Sequence, residues 1–343
     1  MAGRRISAFV AGGCIVASAR GCDSGRSPQG AASDTRPVAP PSAIASPAVA
    51  IPPRIAALGD TGSIAPELRR AFDVAAFDPM PEPGPDDWLA QHPEKPQSFA
   101  DYLRAGRNAP DPQRPVIYLL PVGEFPASAP TLPQLAELVH AFFALEVRTL
   151  PAVKVGEVTG KTRINALTGK RQLFAPDVLA WLKARLPSDA FGLLAVTMAD
   201  LYPDPAWNFV FGMASLAERV GVQSLARQDP AFFGERRPRG WQLLARRRAA
   251  WTLLHETSHM FGLTHCTYWR CVVAGANSQD EADRSPLHPC PVCLRKLHSA
   301  LRFDPAAREE AVAAALGRLG IADEAAWASA RATWIRRGVR SRR

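Results

Sequence analysis

The chain has 343 residues, 47% hydrophobic and 21% charged, which excludes a disordered protein and a small disulfide-stapled scaffold. Its 41 Lys+Arg against 32 Asp+Glu give a formal charge of +9. Only six of the basic residues are Lys, and no stripe of basic and aromatic residues accompanies them, so no nucleic-acid partner is expected.

At the start, Arg4 and Arg5 precede small, apolar residues over 6–19, and Cys22 follows Ala19-Arg20-Gly21. This is the layout of a secretory signal over 1–22. Cys22 after small residues also resembles a lipoprotein cleavage site, although Arg20 is awkward there. The expectation is export, as a membrane-anchored lipoprotein tethered through Cys22 or as a periplasmic or secreted protein. The alternative is a cytoplasmic chain with an unstructured leader. Residues 23–53 are rich in Pro, Ala and Ser and read as a linker. Residues 54–110 form an N-terminal extension punctuated by Pro79, Pro81, Pro83 and Pro85.

Further along, 116–120 reads as the first good strand, and 132–145 carries apolar residues at helical spacing. A helix is predicted over 176–186, with Pro176 tolerated in its first turn, and a buried strand over 191–197. Residues 208–213 and 220–225 are β-like, and 241–261 predicts a helix of about six turns. Helices are predicted over 306–319 and 324–335, before a tail containing Arg336, Arg337, Arg340, Arg342 and Arg343 that reads as a frayed, solvated end. No apolar run reaches the roughly 18 residues a membrane helix needs.

The informative segment is His255-Glu256-Thr257-Ser258-His259-Met260-Phe261-Gly262-Leu263-Thr264-His265, an HExxHxxGxxH pattern. On a helix His255 and His259 lie one turn apart on one face, so both imidazoles can reach one zinc. Gly262 permits a left-handed turn that ends the helix and returns His265 as a third ligand. The fourth zinc position then stays open for water, as in a catalytic site. Glu256, beside the first ligand, projects at another angle and can act on that water as general base. Four cysteines follow: Cys266 and Cys271 as C-x4-C, Cys290 and Cys293 as C-x2-C. Two short-range pairs separated by a loop outline a structural, tetrahedral thiolate zinc site. Two disulfides are the alternative that an exported chain would permit. Zinc here would brace His265 from behind, giving two zinc ions per chain.

Taken together, HExxHxxGxxHC-x4-C followed by CxxC resembles the archaemetzincin family of zinc metallopeptidases. The likeness extends to Thr197, Asp200-Leu201-Tyr202-Pro203, Asn208-Phe209-Val210-Phe211-Gly212, residues 222–227, Glu281-Ala282-Asp283-Arg284, Pro286-Leu287 and 290–297. Asp87-Trp88-Leu89, with Gln97 and Phe99, is similar to the N-terminal extension of the family's longer members. The resemblance implies an α+β, metzincin-like zincin: a small mixed β-sheet, two long helices above the cleft and a small zinc-braced C-terminal subdomain. The resemblance covers about residues 86–303 and implies a catalytic domain over 111–303; the C-terminal helices and basic tail read from the sequence occupy 304–343. It also implies that His255, His259 and His265 bind the catalytic zinc, that Glu256 is the base and that the four cysteines bind the second zinc.

Two departures stand out. The family places a Met two residues after the second Cys, as an apolar floor under the catalytic zinc; here that residue is Val273. The spacer from Val273 to Cys290 is one residue shorter than the family pattern. Outside the motif, His288 lies near Cys290 but reads as a loop residue. His92, His140 and His298 read as surface residues or supports behind the ligands, and Tyr202 and Tyr268 as packing. Residues 208–212 suggest either an edge strand for an extended peptide or a buried strand. The expected function is a monomeric zinc metallopeptidase, a hydrolase acting on peptide or polypeptide substrates. The alternative is a zinc-bound peptide-binding scaffold that has lost activity, which retention of Glu256 argues against. A nucleic-acid-binding zinc module would leave HExxHxxGxxH unexplained.

Overall fold

The computed structural model describes residues 15–17, 53–62 and 64–340. Cys14, Cys22, residues 23–52, Arg342 and Arg343 lie outside the described residues. Nine strands are described: β1 (Ile15–Ala17), β2 (Val116–Val122), β3 (Glu146–Thr149), β4 (Thr162–Ile164), β5 (Arg171–Phe174), β6 (Ala190–Thr197), β7 (Asp200–Tyr202), β8 (Gly212–Ser215) and β9 (Val220–Ser224). The main sheet runs β1-β8-β9-β6-β2-β3, and every neighbouring pair is parallel except β8 with β9. A second sheet runs β4-β5-β7. With helices packed beside these sheets, the architecture is α+β.

Strands β2 and β6 are buried along their whole length, as central strands covered on both faces must be. Side chains alternate across them. Ile117, Leu119, Leu194 and Val196 face one core, while Val116, Tyr118, Leu120, Leu193 and Ala195 face the other.

The longer helices are α1 (Leu132–Phe143), α2 (Ala175–Lys183), α3 (Trp241–Met260), α4 (Pro291–Leu301), α5 (Pro305–Leu319) and α6 (Ala322–Arg340). Helix α1 starts at a capping box made by Thr131 and Gln134. It stops at Phe143 because Ala144 turns left-handed (φ 52°) and its N–H closes on the His140 carbonyl at 2.9 Å. The apolar pattern alone extends the helix to 145. Helices α1 and α3 contribute to the larger core, and α2 covers the opposite sheet face through Val178, Leu179 and Leu182.

The C-terminal helices pack firmly onto the body. Arg308 on α5 is buried and donates from Nε to the Phe142 carbonyl at 2.7 Å. Arg331 on α6 donates to the carbonyls of Arg70, Ala71 and Asp73 in the N-terminal extension. The extension is thereby held between the C-terminal helices and the segment that carries the metal motif.

Candidate metal centre and active site

From Ala249 to Met260, helix α3 is buried on every side. A buried helix carrying His255, Glu256 and His259 must give those polar groups partners or a ligand. His255 and His259 stand one turn apart, with their Nε2 atoms 2.9 Å from each other. The helix ends where Gly262 takes φ 86° and its N–H bonds the His259 carbonyl at 2.8 Å. The N-terminal extension pins this turn. Tyr102 donates its hydroxyl to the Phe261 carbonyl at 3.0 Å, and Gln97 donates to the Gly262 carbonyl at 3.1 Å. Gln97 also accepts from the Thr264 N–H at 3.2 Å.

The chain then returns His265, whose ring centroid lies 5.2 Å from that of His255 and 5.0 Å from that of His259. One ligand atom from each of the three histidines falls within a sphere of mutual separations below 4.8 Å. Each Nδ1 is already engaged: His255 with the Val272 carbonyl at 2.9 Å, His259 with the Leu263 carbonyl at 2.6 Å, and His265 with Glu94 Oε1 at 2.7 Å. An Nδ1–H held by an oxygen leaves Nε2 unprotonated and available to a metal. His265 Nε2 is buried and meets no hydrogen-bond partner among the described residues. Burial, and then the neighbouring imidazoles, push His255 well below its ordinary pKa. The same causes, burial first and His265 second, bring His259 down to about 3. Neutral imidazoles of this kind are the form that binds zinc.

Glu256 is fully buried beside the histidines and lies against the backbone of Gly212, the first residue of β8. The helix thus brings its carboxylate against the start of β8.

The four cysteines gather separately. Their Sγ atoms lie within 4.8 Å of one another, with Cys266 Sγ 3.5 Å from Cys290 Sγ. All four are buried and free in the structure. Backbone N–H groups support the sulfurs: Cys290 and Val273 donate to Cys271 Sγ at 3.2 and 3.4 Å, and Cys293 donates to Cys290 Sγ at 3.4 Å. Hydrogen bonds from the other three thiols hold Cys266 well below the usual thiol range, while burial pushes Cys271 and Cys290 up. Four buried sulfurs in one space fit a thiophilic cation that lets all of them ionise. The two clusters share one turn. The Val272 carbonyl accepts from His255, and the Val273 carbonyl accepts the Cys266 N–H at 2.9 Å.

The His288 ring stacks on Trp327 at 3.6 Å and is not a member of the sulfur cluster. His140 is exposed, and its Nδ1 engages the Leu145 carbonyl. His298 sits edge-on to Phe72 and Phe303. Tyr202 packs under the Arg163 guanidinium at 4.1 Å, and Tyr268 is buried. In the 208–212 segment, Val210 pairs in a single bridge with Leu201, and only Gly212 begins β8. His92 is half-buried, between Trp88 at 4.3 Å and Trp207 at 5.1 Å, on the His265 side of the site. Glu94 escapes a motif-based reading altogether. It stands 171 residues before His265, with no spacing rule to mark it.

Residues 172–299 match Peptidase family M54. Archaemetzincin-2 of Pongo abelii is 34% identical over 275 residues, covering 71% of this chain and 76% of that protein. Archaemetzincin-1 of Homo sapiens is 35% identical over 245 residues, covering 63% of this chain and 49% of that protein. The crystal structure of an archaemetzincin from Archaeoglobus fulgidus aligns with 28% identity over 53% of this chain and 99% of that one, at a TM-score of 0.41. With the identity to archaemetzincin-2 sustained over that length, the chain belongs to the archaemetzincin family of zinc metallopeptidases.

Proposed function

We propose that the chain hydrolyses peptide bonds at the His255–His259–His265 centre, with Glu256 as general base. In this reading Cys266, Cys271, Cys290 and Cys293 hold a second, structural zinc, giving two per chain. The observation that carries it is the convergence of three imidazoles whose Nδ1 atoms are all engaged elsewhere, beside one buried carboxylate. Zinc at the histidines would supply Lewis acidity, acidifying a water and polarising the scissile carbonyl.

The chain's own residues supply the rest. Glu256 takes the proton of the attacking water and later gives it to the leaving amine. Its enclosure between α3 and β8 keeps bulk water from competing for that proton. In this reading the fold is metzincin-like, with the mixed sheet and long helices above the cleft and a small zinc-braced C-terminal subdomain below it. Both clusters are built within one chain, so a monomer suffices.

The export reading belongs to the same proposal. Cleavage at Cys22 would remove β1 and leave β8 as the sheet edge, where an extended peptide backbone can pair. N-terminal sequencing of the mature protein checks it. An intact Met1 on protein recovered from the cytoplasm would refute it.

Turnover of a mixed peptide library by the parent and by Glu256→Gln, with zinc content measured on both, tests the chemistry. The expected result is a loss of at least about 10²–10⁴-fold in hydrolysis with unchanged metal. A Glu256→Gln variant that cleaves within a few-fold of the parent would mean another base. A parent that binds peptides but never cleaves them would favour the scaffold.

A further inference from the structure

Two of the three histidines are oriented by backbone carbonyls from residues 263 and 272, close to the motif itself. The third is not. His265 Nδ1 donates to Glu94 Oε1 at 2.7 Å, and Glu94 belongs to the N-terminal extension. The same carboxylate oxygen accepts the Trp88 indole N–H at 2.8 Å. Trp88 is itself fixed. Its backbone N–H bonds both oxygens of Glu281, at 2.9 and 3.1 Å, and its ring sits edge-on to His265 at 5.0 Å. A Cβ added to Gly275 would fall 2.4 Å from the Trp88 ring, so the indole occupies space that only glycine leaves.

From this geometry we propose that Glu94 is a positioning residue of the metal centre, aligned by Trp88, and that it fixes the ring of His265 with Nε2 free for zinc. The proposal rests on the reading above that His265 is a zinc ligand. The carboxylate does three things at once. It selects the Nδ1–H tautomer, it sets the ring plane, and it places a negative charge behind a ligand of a dication. A backbone carbonyl gives only the first two. The extension therefore completes the centre as well as covering it, and the zinc affinity of the histidine site should depend on a residue remote from the motif.

The test uses the full chain with both zinc sites loaded. Zinc affinity at the histidine site is measured by chelator competition, and the visible spectrum is recorded after cobalt(II) replaces that zinc. Thermal stability of the metal-free protein is measured alongside. Variants are Glu94→Ala, the near-isosteric Glu94→Gln, Glu94→Asp and, as the control, His265→Ala. Loss of an outer partner of a metal-bound histidine typically weakens metal binding by about 10–100-fold. Glu94→Ala should show that loss. Glu94→Gln should show a smaller loss with a shifted cobalt spectrum and unchanged metal-free stability. Glu94→Asp should recover part of the affinity. Glu94→Gln carries the test if the Ala variant fails to fold. Parental affinity and parental cobalt spectrum in both Glu94→Ala and Glu94→Gln, with zinc binding lost in His265→Ala, would overturn the proposal alone. Unchanged zinc binding in His265→Ala would instead overturn the ligand assignment beneath it.

Discussion

Gly212 and Glu256 occupy one space: a Cβ built on Gly212 would lie 2.5 Å from Oε1 and 2.6 Å from Cγ of Glu256. The carboxylate proposed as base is therefore positioned by the absence of a side chain on the neighbouring strand. Gly212→Ala must displace Glu256 or β8, and because Glu256 is fully buried the carboxylate has little room to retreat. Hydrolysis should fall by about 10²-fold or more, the scale of a lost general base, while zinc content stays parental. Steady-state peptide cleavage with parallel metal analysis checks this. A parental rate would show that the base does not act from its position against β8.

The shared turn at Val272 and Val273 ties the two clusters together. Removing one sulfur ligand, as in Cys293→Ser, should release the structural zinc. It should also weaken zinc at the histidines, because the Val273 carbonyl holds Cys266 while the Val272 carbonyl holds His255. Native mass spectrometry without reductant should find two zinc ions in the parent. A parent with one zinc and two disulfides would show that the cysteines serve another purpose. A Cys293→Ser variant with parental affinity at the histidines would show the clusters to be independent.

His288, two residues before Cys290 and stacked on Trp327, provides a pH signal from a histidine outside the two ligand clusters. Burial, reinforced by Arg308 and Arg331 and opposed by a backbone hydrogen bond at Pro289, brings its pKa down to about 3. In the unfolded chain its value is about 6.5. Between those values the unfolded chain binds a proton that the folded chain refuses, so stability is lost as pH falls through this window. The slope for one proton is about 1.4 kcal/mol per pH unit. His288→Phe keeps an aromatic ring against Trp327 and removes the proton. Its unfolding free energy in urea should fall less steeply than the parent's as pH drops below about 6.5. Equal slopes would mean that His288 protonates without cost in the folded protein.

The motif was legible because its chemistry is local. Histidines four apart on a helix, a glycine at its end and paired cysteines are fixed by backbone geometry within a few residues. Strands β2 and β6 were legible because central strands are apolar throughout. Strand β3, by contrast, is Glu-Val-Arg-Thr and largely exposed, so no alternation marks it. The β5–β7 pair hides for the opposite reason. It buries Gln172, which donates to Asp200, and Asp200, which also accepts two bonds from Arg227 at 2.8 and 2.7 Å. Polar residues satisfied inside a fold read as surface in a sequence. Glu94 and Trp88 are harder still, since their roles exist only once the extension has folded against residues 262–281.

Val273 stands where the family pattern has methionine, and it is fully buried in the larger core. The contacts that this turn makes to the two clusters come from its backbone: the Val272 carbonyl to His255, the Val273 carbonyl to Cys266, and the Val273 N–H to Cys271 Sγ. None of them depends on the side chain. Methionine is unbranched and adapts to irregular space, so Val273→Met should preserve all three bonds and hold zinc at the histidines at least as tightly as the parent. Zinc at the cysteines should change little. The opposing force is volume, since an overfilled core costs about 1–3 kcal/mol and would push the turn, and with it the Val272 carbonyl, away from His255. Chelator competition on the parent and Val273→Met separates the two. Much weaker zinc at the histidines in the variant would mean that neighbouring side chains have already closed around valine, and that this turn has a packing of its own.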